Sequence, residues 1–147
     1  MTRYLLDVNV LISLFDPAHA NHEAAHNWFA ETGSKAWASC PLTENGFVRV
    51  TSHSSYPTVD VRPEEAIGRL RTFTRTHPGH EFWSDSVSLT DDSIFDGACI
   101  SSSGQVTDSY LLGLAKEHKG TLATFDRRIA LASVRAADDG LLELLRA

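Results

Sequence analysis

Hydrophobic and polar positions along the chain fall into two kinds of block that take turns. Three short runs are apolar almost throughout: "RYLLDV" from Arg3, "KAWASC" from Lys35 and "TLATFD" from Thr121. Their length and lack of alternation predict strands buried on both faces. Between them lie segments whose apolar residues recur at helical spacing. "NVLISLF" is a short helix directly after the first strand, with Asn9 as its cap. "NHEAAHNWFAETG" predicts a helix capped by Asn21, with Ala25, Trp28 and Phe29 inward and Gly33 as its stop. "LTENGFVRVTS" predicts another, entered through Thr43, with Phe47 and Val50 inward. "RPEEAIGRLRTFTRT" has Pro63 at the first helical position and keeps Ile67, Leu70 and Phe73 in register. "TDSYLLGLAKEHKG" is the strongest helical pattern, capped by Thr107 and followed by Gly120. "HEFWSDSVSL" predicts a strand running into a loop, "DDSIFDGACISS" a short helical piece and "RRIALAS" a helical turn or two. The "LLELL" tail fits strand or helix equally.

Strands separated by helices imply an α/β fold, a largely parallel central sheet with helices on both faces. At 147 residues the chain is expected to form one domain, 1–147. A chain of that size buries roughly 68–70% of its unfolded surface and needs no disulfide or structural metal to fold. Cys40 and Cys99 form no CxxC pair and suit a reducing cytoplasm. The amino terminus lacks a small-residue cleavage site, and no run approaches the ~18 apolar residues of a membrane span. The net charge of −6 argues against general adhesion to nucleic acid. Work on nucleic acid would need a local basic patch, or cations gathered by local acids.

Four acids fall where one kind of block gives way to another. Asp7 ends the first strand, Glu44 opens the helix after the second, Asp108 opens the strongest helix and Asp126 ends the late strand. In open parallel sheets, strand ends and the helix starts that follow them meet at the carboxyl rim, where ligands bind. Singly, each acid has a plain reading, because a carboxylate at a helix start gains ~0.3–1 kcal/mol from the macrodipole. Asp7 differs: with Asn9 as the cap, it is left with no structural task. Jointly the four pose a charge problem. At 4 Å and an effective dielectric near 20, each like pair costs about 4 kcal/mol. Hard divalent cations with oxygen ligands, Mg²⁺ or Mn²⁺, neutralise such a group, and the absence of Cys or His disfavours zinc. Metals held this way activate water for phosphodiester hydrolysis.

The stretches "LLDVNVLISLF", "HANHEAAHNWF", "CPLTENGFVRV", "VTDSYLLGLAKEHKG" and "LATFDRRI" resemble, in order and over nearly the whole chain, the PIN-domain ribonucleases. The resemblance is to the VapC-type toxins of bacterial toxin–antitoxin pairs in particular. It implies an acidic site of Asp7, Glu44, Asp108 and Asp126, supported by Asn9 and by the Thr124 hydroxyl. It further implies a Mg²⁺- or Mn²⁺-dependent endoribonuclease that leaves a 5′-phosphate and a 3′-hydroxyl. Asp7 and Asp108 would be the principal metal ligands, with Glu44 and Asp126 completing the shell. Such toxins form homodimers, are silenced by a VapB-like antitoxin and cut transfer or ribosomal RNA. Residues 51–92 carry no motif of the resemblance.

With the net charge unhelpful, Arg49, Lys116, Arg127 and Arg128 are the candidates for RNA phosphate contacts, being near the acids in sequence. "HEAAH", His22 to His26, matches the H-E-x-x-H zinc motif literally and makes a zinc peptidase with His22, Glu23 and His26 the rival enzyme. Against it stand the polar residues around the pair, the small chain, and the three aspartates it leaves unexplained. A PIN-like module that only binds is the non-enzymatic rival; it would be expected to lack one or more of the four acids, and none is missing.

Overall fold

The computed structural model describes residues 1–146. Strand β1 (Tyr4–Leu6) leads into helix α1 (Val8–Phe15). Helix α2 (His22–Glu31) is followed by β2 (Trp37–Ser39), α3 (Pro41–Thr51) and α4 (Pro63–Thr76). Then come β3 (His80–Phe82), α5 (Val106–Glu117), β4 (Thr121–Thr124) and β5 (Leu142–Leu144). The sheet order is β3-β2-β1-β4-β5, and every neighbouring pair is parallel. The central strand β1 and its neighbour β4 are the first and fourth in the chain, which sets their carboxyl ends side by side at mid-rim.

Two-residue alternation divides the core. Leu5, Ala38 and Leu122 face Leu111, Leu112, Leu114 and Ala115 of α5, together with Phe95 and Val134. Leu6, Trp37 and Ala123 face the other way, against Val10 and Leu11 of α1, Phe29 of α2, Phe47 of α3 and Leu70 of α4. Trp37 is fully buried and packs against Phe29 and Phe73 at ring separations of 5.5 and 5.1 Å. Truncating an aromatic of this kind to Ala costs about 3–5 kcal/mol.

Several local expectations change. Asp7, not Asn9, caps α1: its backbone is extended and its carboxylate accepts from the Val8 N–H. The structural task that the sequence denied to Asp7 therefore exists. Helix α3 begins at Pro41, with Cys40 as its cap, and Thr43 accepts from the Cys40 N–H instead of leading the helix in. Helix α5 begins at Val106, so Thr107 lies inside it and Gln105, without a side-chain cap bond, holds the cap position. Asn21 precedes α2 but makes no side-chain cap bond. Residues 91–102 hold turns and one 3₁₀ turn at Gly97–Cys99 where a helical piece was expected, and "RRIALAS" is reduced to a 3₁₀ turn at Leu131–Ser133. Ile67 lies 43% exposed, because Ala66 and Leu70 form the inward line of α4. The "LLELL" tail resolves as strand β5.

Candidate active site

The carboxyl rim of β1 and β4 brings three of the four acids together. Asp7 follows Leu5 on the α5 face, and Thr124 follows Leu122 there, so the two meet side by side. The Thr124 hydroxyl donates to Asp7 Oδ2 at 2.7 Å, while the Val8 N–H donates to Oδ1 at 2.7 Å. Thr124 also accepts from the Asp126 N–H at 3.0 Å and from Asn9 Nδ2 at 3.3 Å. Asn9 Oδ1 receives the Phe125 N–H at 3.4 Å. One hydroxyl therefore ties Asp7, Asn9 and Asp126 into a single network. Sequence reading places Asn9 and Thr124 in supporting roles, and both sit within it.

The charges in this network are uncompensated on one side. Burial pushes the Asp7 carboxyl up; bonds from Thr124 and Val8 oppose the rise, and the Asp126 charge adds to it. Asp108, in the first turn of α5, is pushed up to about 7 by burial and by the charges of Asp7 and Asp126. Asp126 goes the other way. Arg128 grips it with Nε on Oδ1 at 3.1 Å and Nη2 on Oδ2 at 3.3 Å, and holds its carboxyl below the ordinary range. A carboxyl near 7 between two carboxylates marks a place where one more positive charge is wanted.

Glu44 stands apart. It opens α3 on the opposite face of the sheet, where Ser39 follows Trp37, and its Oε2 accepts from the Ser39 hydroxyl at 2.6 Å. It does not figure among the charges that act on Asp7 or Asp108. Helix α3 nevertheless runs close to the aspartates, because Gly46 lies flat against Val8. A Cβ at Gly46 would meet Val8 Cγ2 at 2.8 Å.

A hard cation fits the donor chemistry of Asp7, Asp108 and Asp126, which is oxygen only and short of positive charge. The arrangement is not closed around one: among the described residues no three acid, His or Cys side chains stand in ready ligand geometry. Both oxygens of Asp126 are engaged by the Arg128 fork.

The sequence matches the PIN domain family over residues 4–135. It is 47% identical over 135 residues to Ribonuclease VapC44 of Mycobacterium tuberculosis, covering 92% of this chain and 94% of that one. It is 43% identical over 141 residues to Ribonuclease VapC39 of the same organism, covering 96% and 98%. The chain belongs to the PIN-domain family, among its VapC ribonucleases. The fold also resembles a toxin–antitoxin complex from Klebsiella pneumoniae, with a TM-score of 0.55 at 17% identity over 85% of this chain and 88% of that one.

Within this PIN domain the basic candidates separate. Arg128 serves Asp126, and its side chain is otherwise 83% exposed. Arg127 is exposed beside it. Arg49 lies with Glu44, Asn45, Val48 and Ser52 along a groove of about 610 Å³ between α3 and α4. Lys116 is displaced to the opposite rim. It shares a depression with Thr2, Lys119 and Thr121, at the amino end of the sheet, because α5 runs antiparallel to the strands. Nearness in sequence misled there, since two helical turns carry a side chain across the molecule.

The "HEAAH" pair has a different task from zinc binding. His22 Nδ1 donates to the Ser13 carbonyl at 2.7 Å, and His26 Nε2 donates to the Leu14 carbonyl at 3.0 Å. Two rings one turn apart on α2 thus satisfy consecutive carbonyls in the last turn of α1, which a helix leaves unpaired. Each ring has one nitrogen committed to backbone, and Glu23 is exposed beside Ala20, Ala24 and Asn27.

Proposed function

We propose that this chain is a divalent-metal-dependent endoribonuclease, the toxin of a type II toxin–antitoxin pair. The observation that carries the reading is the rim cluster, where burial and the charges of Asp7 and Asp126 push the Asp108 carboxyl up to about 7. The named relatives are ribonucleases, which supports phosphodiester hydrolysis as the chemistry that the cluster serves. Asp7 and Asp108 would hold Mg²⁺ or Mn²⁺, with Asp126 and Glu44 completing the shell directly or through water. The bound ion supplies charge neutralisation and an activated water.

The remaining work belongs to the chain. Thr124 and Asn9 fix the orientation of Asp7, so its carboxylate meets its ligand without reorganising. Thr124 also sets the backbone at Asp126. Arg128, the counterion of Asp126, would exchange that carboxylate for a phosphate oxygen of the RNA if a metal ion took over the charge. Arg49 and the groove beside Glu44 would lead the strand in, and Arg127 would contact its backbone. The substrate would be structured RNA, tRNA or rRNA, cut at an unpaired loop. A VapB-like antitoxin, homodimerisation and a cytoplasmic location complete the proposal. Among the described residues no helix is long and apolar enough to cross a membrane.

The test is direct. Purified protein is given single-stranded and folded RNA with EDTA, Mg²⁺ or Mn²⁺, and the ends are mapped. Cleavage is expected only with metal, leaving 5′-phosphates, and Asp7→Asn is expected to abolish it. RNA left intact with both metals sinks the nuclease reading and leaves the binding module in its place.

A further inference from the structure

Glu44 is held by something the motif does not contain. Ser39 is fully buried at the end of β2, and its hydroxyl lies 2.6 Å from Glu44 Oε2 and 2.7 Å from His80 Nε2. A serine hydroxyl has one proton. An ionised carboxylate can only accept, so that proton goes to Glu44. The oxygen must then take its other bond from His80, which requires a proton on Nε2. Burial and the nearby Arg3 charge both push the His80 imidazole below its ordinary value, with Glu81 opposing them, so the neutral ring is favoured. The direction of every bond follows: His80 donates to Ser39, and Ser39 donates to Glu44.

The ring itself is held. It packs on Trp37 with centroids 4.5 Å apart, and its backbone pairs with Trp37 in the sheet. The start of β3 is pinned by Arg3, whose Nη1 donates to the carbonyls of Trp37 and Gly79 at 3.1 and 2.6 Å. Two strands thus stand behind one carboxylate oxygen, β2 through Ser39 and β3 through His80. Oε1 of Glu44 takes no hydrogen bond among the described residues, so the relay fixes one oxygen and leaves the other open.

We infer that His80 is a positioning residue of the nuclease site: through the Ser39 hydroxyl it sets the direction of Glu44, so that the free Oε1 serves the metal or its water. This rests on the nuclease reading above. It gives the short edge strand β3, whose other two residues are exposed, a task of its own. Residues that orient a ligating carboxylate typically change metal affinity or rate by roughly 10–100-fold when lost.

Three variants and two readouts test it. His80→Phe keeps an aromatic ring against Trp37 and removes the donor; His80→Gln keeps an N–H near the same place; Ser39→Ala breaks the middle link. The first readout is Mn²⁺ affinity of the RNA-free protein by titration calorimetry. The second is single-turnover RNA cleavage with Mn²⁺, in wild-type and Glu44→Ala backgrounds. His80→Phe and Ser39→Ala are expected to weaken Mn²⁺ binding or slow cleavage roughly tenfold, with RNA affinity unchanged and His80→Gln recovering most of the loss. In the Glu44→Ala background the His80→Phe loss is expected to vanish, because no carboxylate is left to orient. A loss that persists undiminished in that background overturns the relay, as does a His80→Phe protein equal to wild type in both readouts. Nitrogen-15 spectra of the wild type add an independent check, and a neutral His80 ring protonated on Nδ1 overturns the relay without any cleavage assay. A wild type that neither binds Mn²⁺ nor cuts RNA removes the nuclease reading itself, and the relay's purpose with it.

Discussion

At the scale of single residues, Asp7 carries two loads: it caps α1 and supplies a charge to the cluster. The two separate by choice of substitution. Asn caps a helix about as well as Asp, whereas Ala costs about 0.5–2 kcal/mol. Asp7→Asn is therefore expected to lose cleavage with its urea midpoint little changed, and Asp7→Ala to lose both. Equal stability in the two variants would deny the capping role. Asp108 offers a pH test. Its folded carboxyl sits near 7 against an ordinary 3.8, so in metal-free buffer the folded state holds the proton more tightly. That contribution is fully present below the ordinary value and is lost as pH rises through about 7. Asp108→Asn removes the loss. With EDTA present, the variant is expected to gain on wild type by about 1–2 kcal/mol between pH 5 and pH 8, a figure reduced for a half-exposed group. Chemical denaturation at the two pH values measures it, and a gap that does not widen counts against the charge cluster. At this scale the sequence was legible for Asp7, Asn9, Asp108, Thr124 and Asp126, all of which the rim brings together. Ser39 and His80 carried no signal, because their pairing arises from strand register across 41 residues.

At the scale of elements, the packing of α3 on α1 decides where Glu44 lies, and it depends on one missing side chain. Gly46 allows the two helices to touch at Val8. Gly46→Ala raises helix propensity by about 1 kcal/mol in an exposed position, but here its methyl would press on the β-branched Val8 side chain, 2.8 Å from Cγ2. The expected net effect is a destabilisation of about 1–3 kcal/mol, together with weaker Mn²⁺ binding. Thermal melts and calorimetry report both, and a stabilised Gly46→Ala would show that the contact is loose. The five α-helices and their order were readable, whereas the helical pieces expected at 91–102 and in "RRIALAS" are turns and 3₁₀ turns, and helix ends were less legible. Gly120 lies past the end of α5, as its pattern implies, yet the left-handed residue there is Lys119, with φ of 59°. Gly120 is glycine for a different reason: a Cβ there would meet the Arg3 carbonyl at 2.7 Å and the Trp83 ring at 2.6 Å. The "HEAAH" motif shows the same limit from the other side. Its spacing suits any two rings that must serve one partner, and only the tertiary fold reveals that the partner is the end of α1.

At the scale of the whole molecule, an acidic protein must hold a polyanion with few cations. Arg49 and Arg127 are the basic candidates that no acid holds near the site, Arg128 joins them on the proposed mechanism once released from Asp126, and Lys116 lies at the far rim. A small number of phosphate contacts implies weak salt dependence. For two or three contacts to single-stranded RNA, log affinity is expected to fall against log salt with a slope of about −1.4 to −2.1. Filter binding of an inactive variant across a salt series measures it, and a slope several times steeper would point to a basic surface contributed elsewhere, as by a second copy. The sheet order has a further consequence for when the chain becomes dangerous. Asp7 emerges early in synthesis, but the hydroxyl that orients it lies 117 residues later, and β1 waits for β4 to dock beside it. A chain without the residues from 121 onward keeps Asp7 but has neither the Thr124 hydroxyl that orients it nor Asp126 beside it. The rim cluster therefore forms in one step, when β4 docks beside β1, and no earlier segment of the chain carries the completed site.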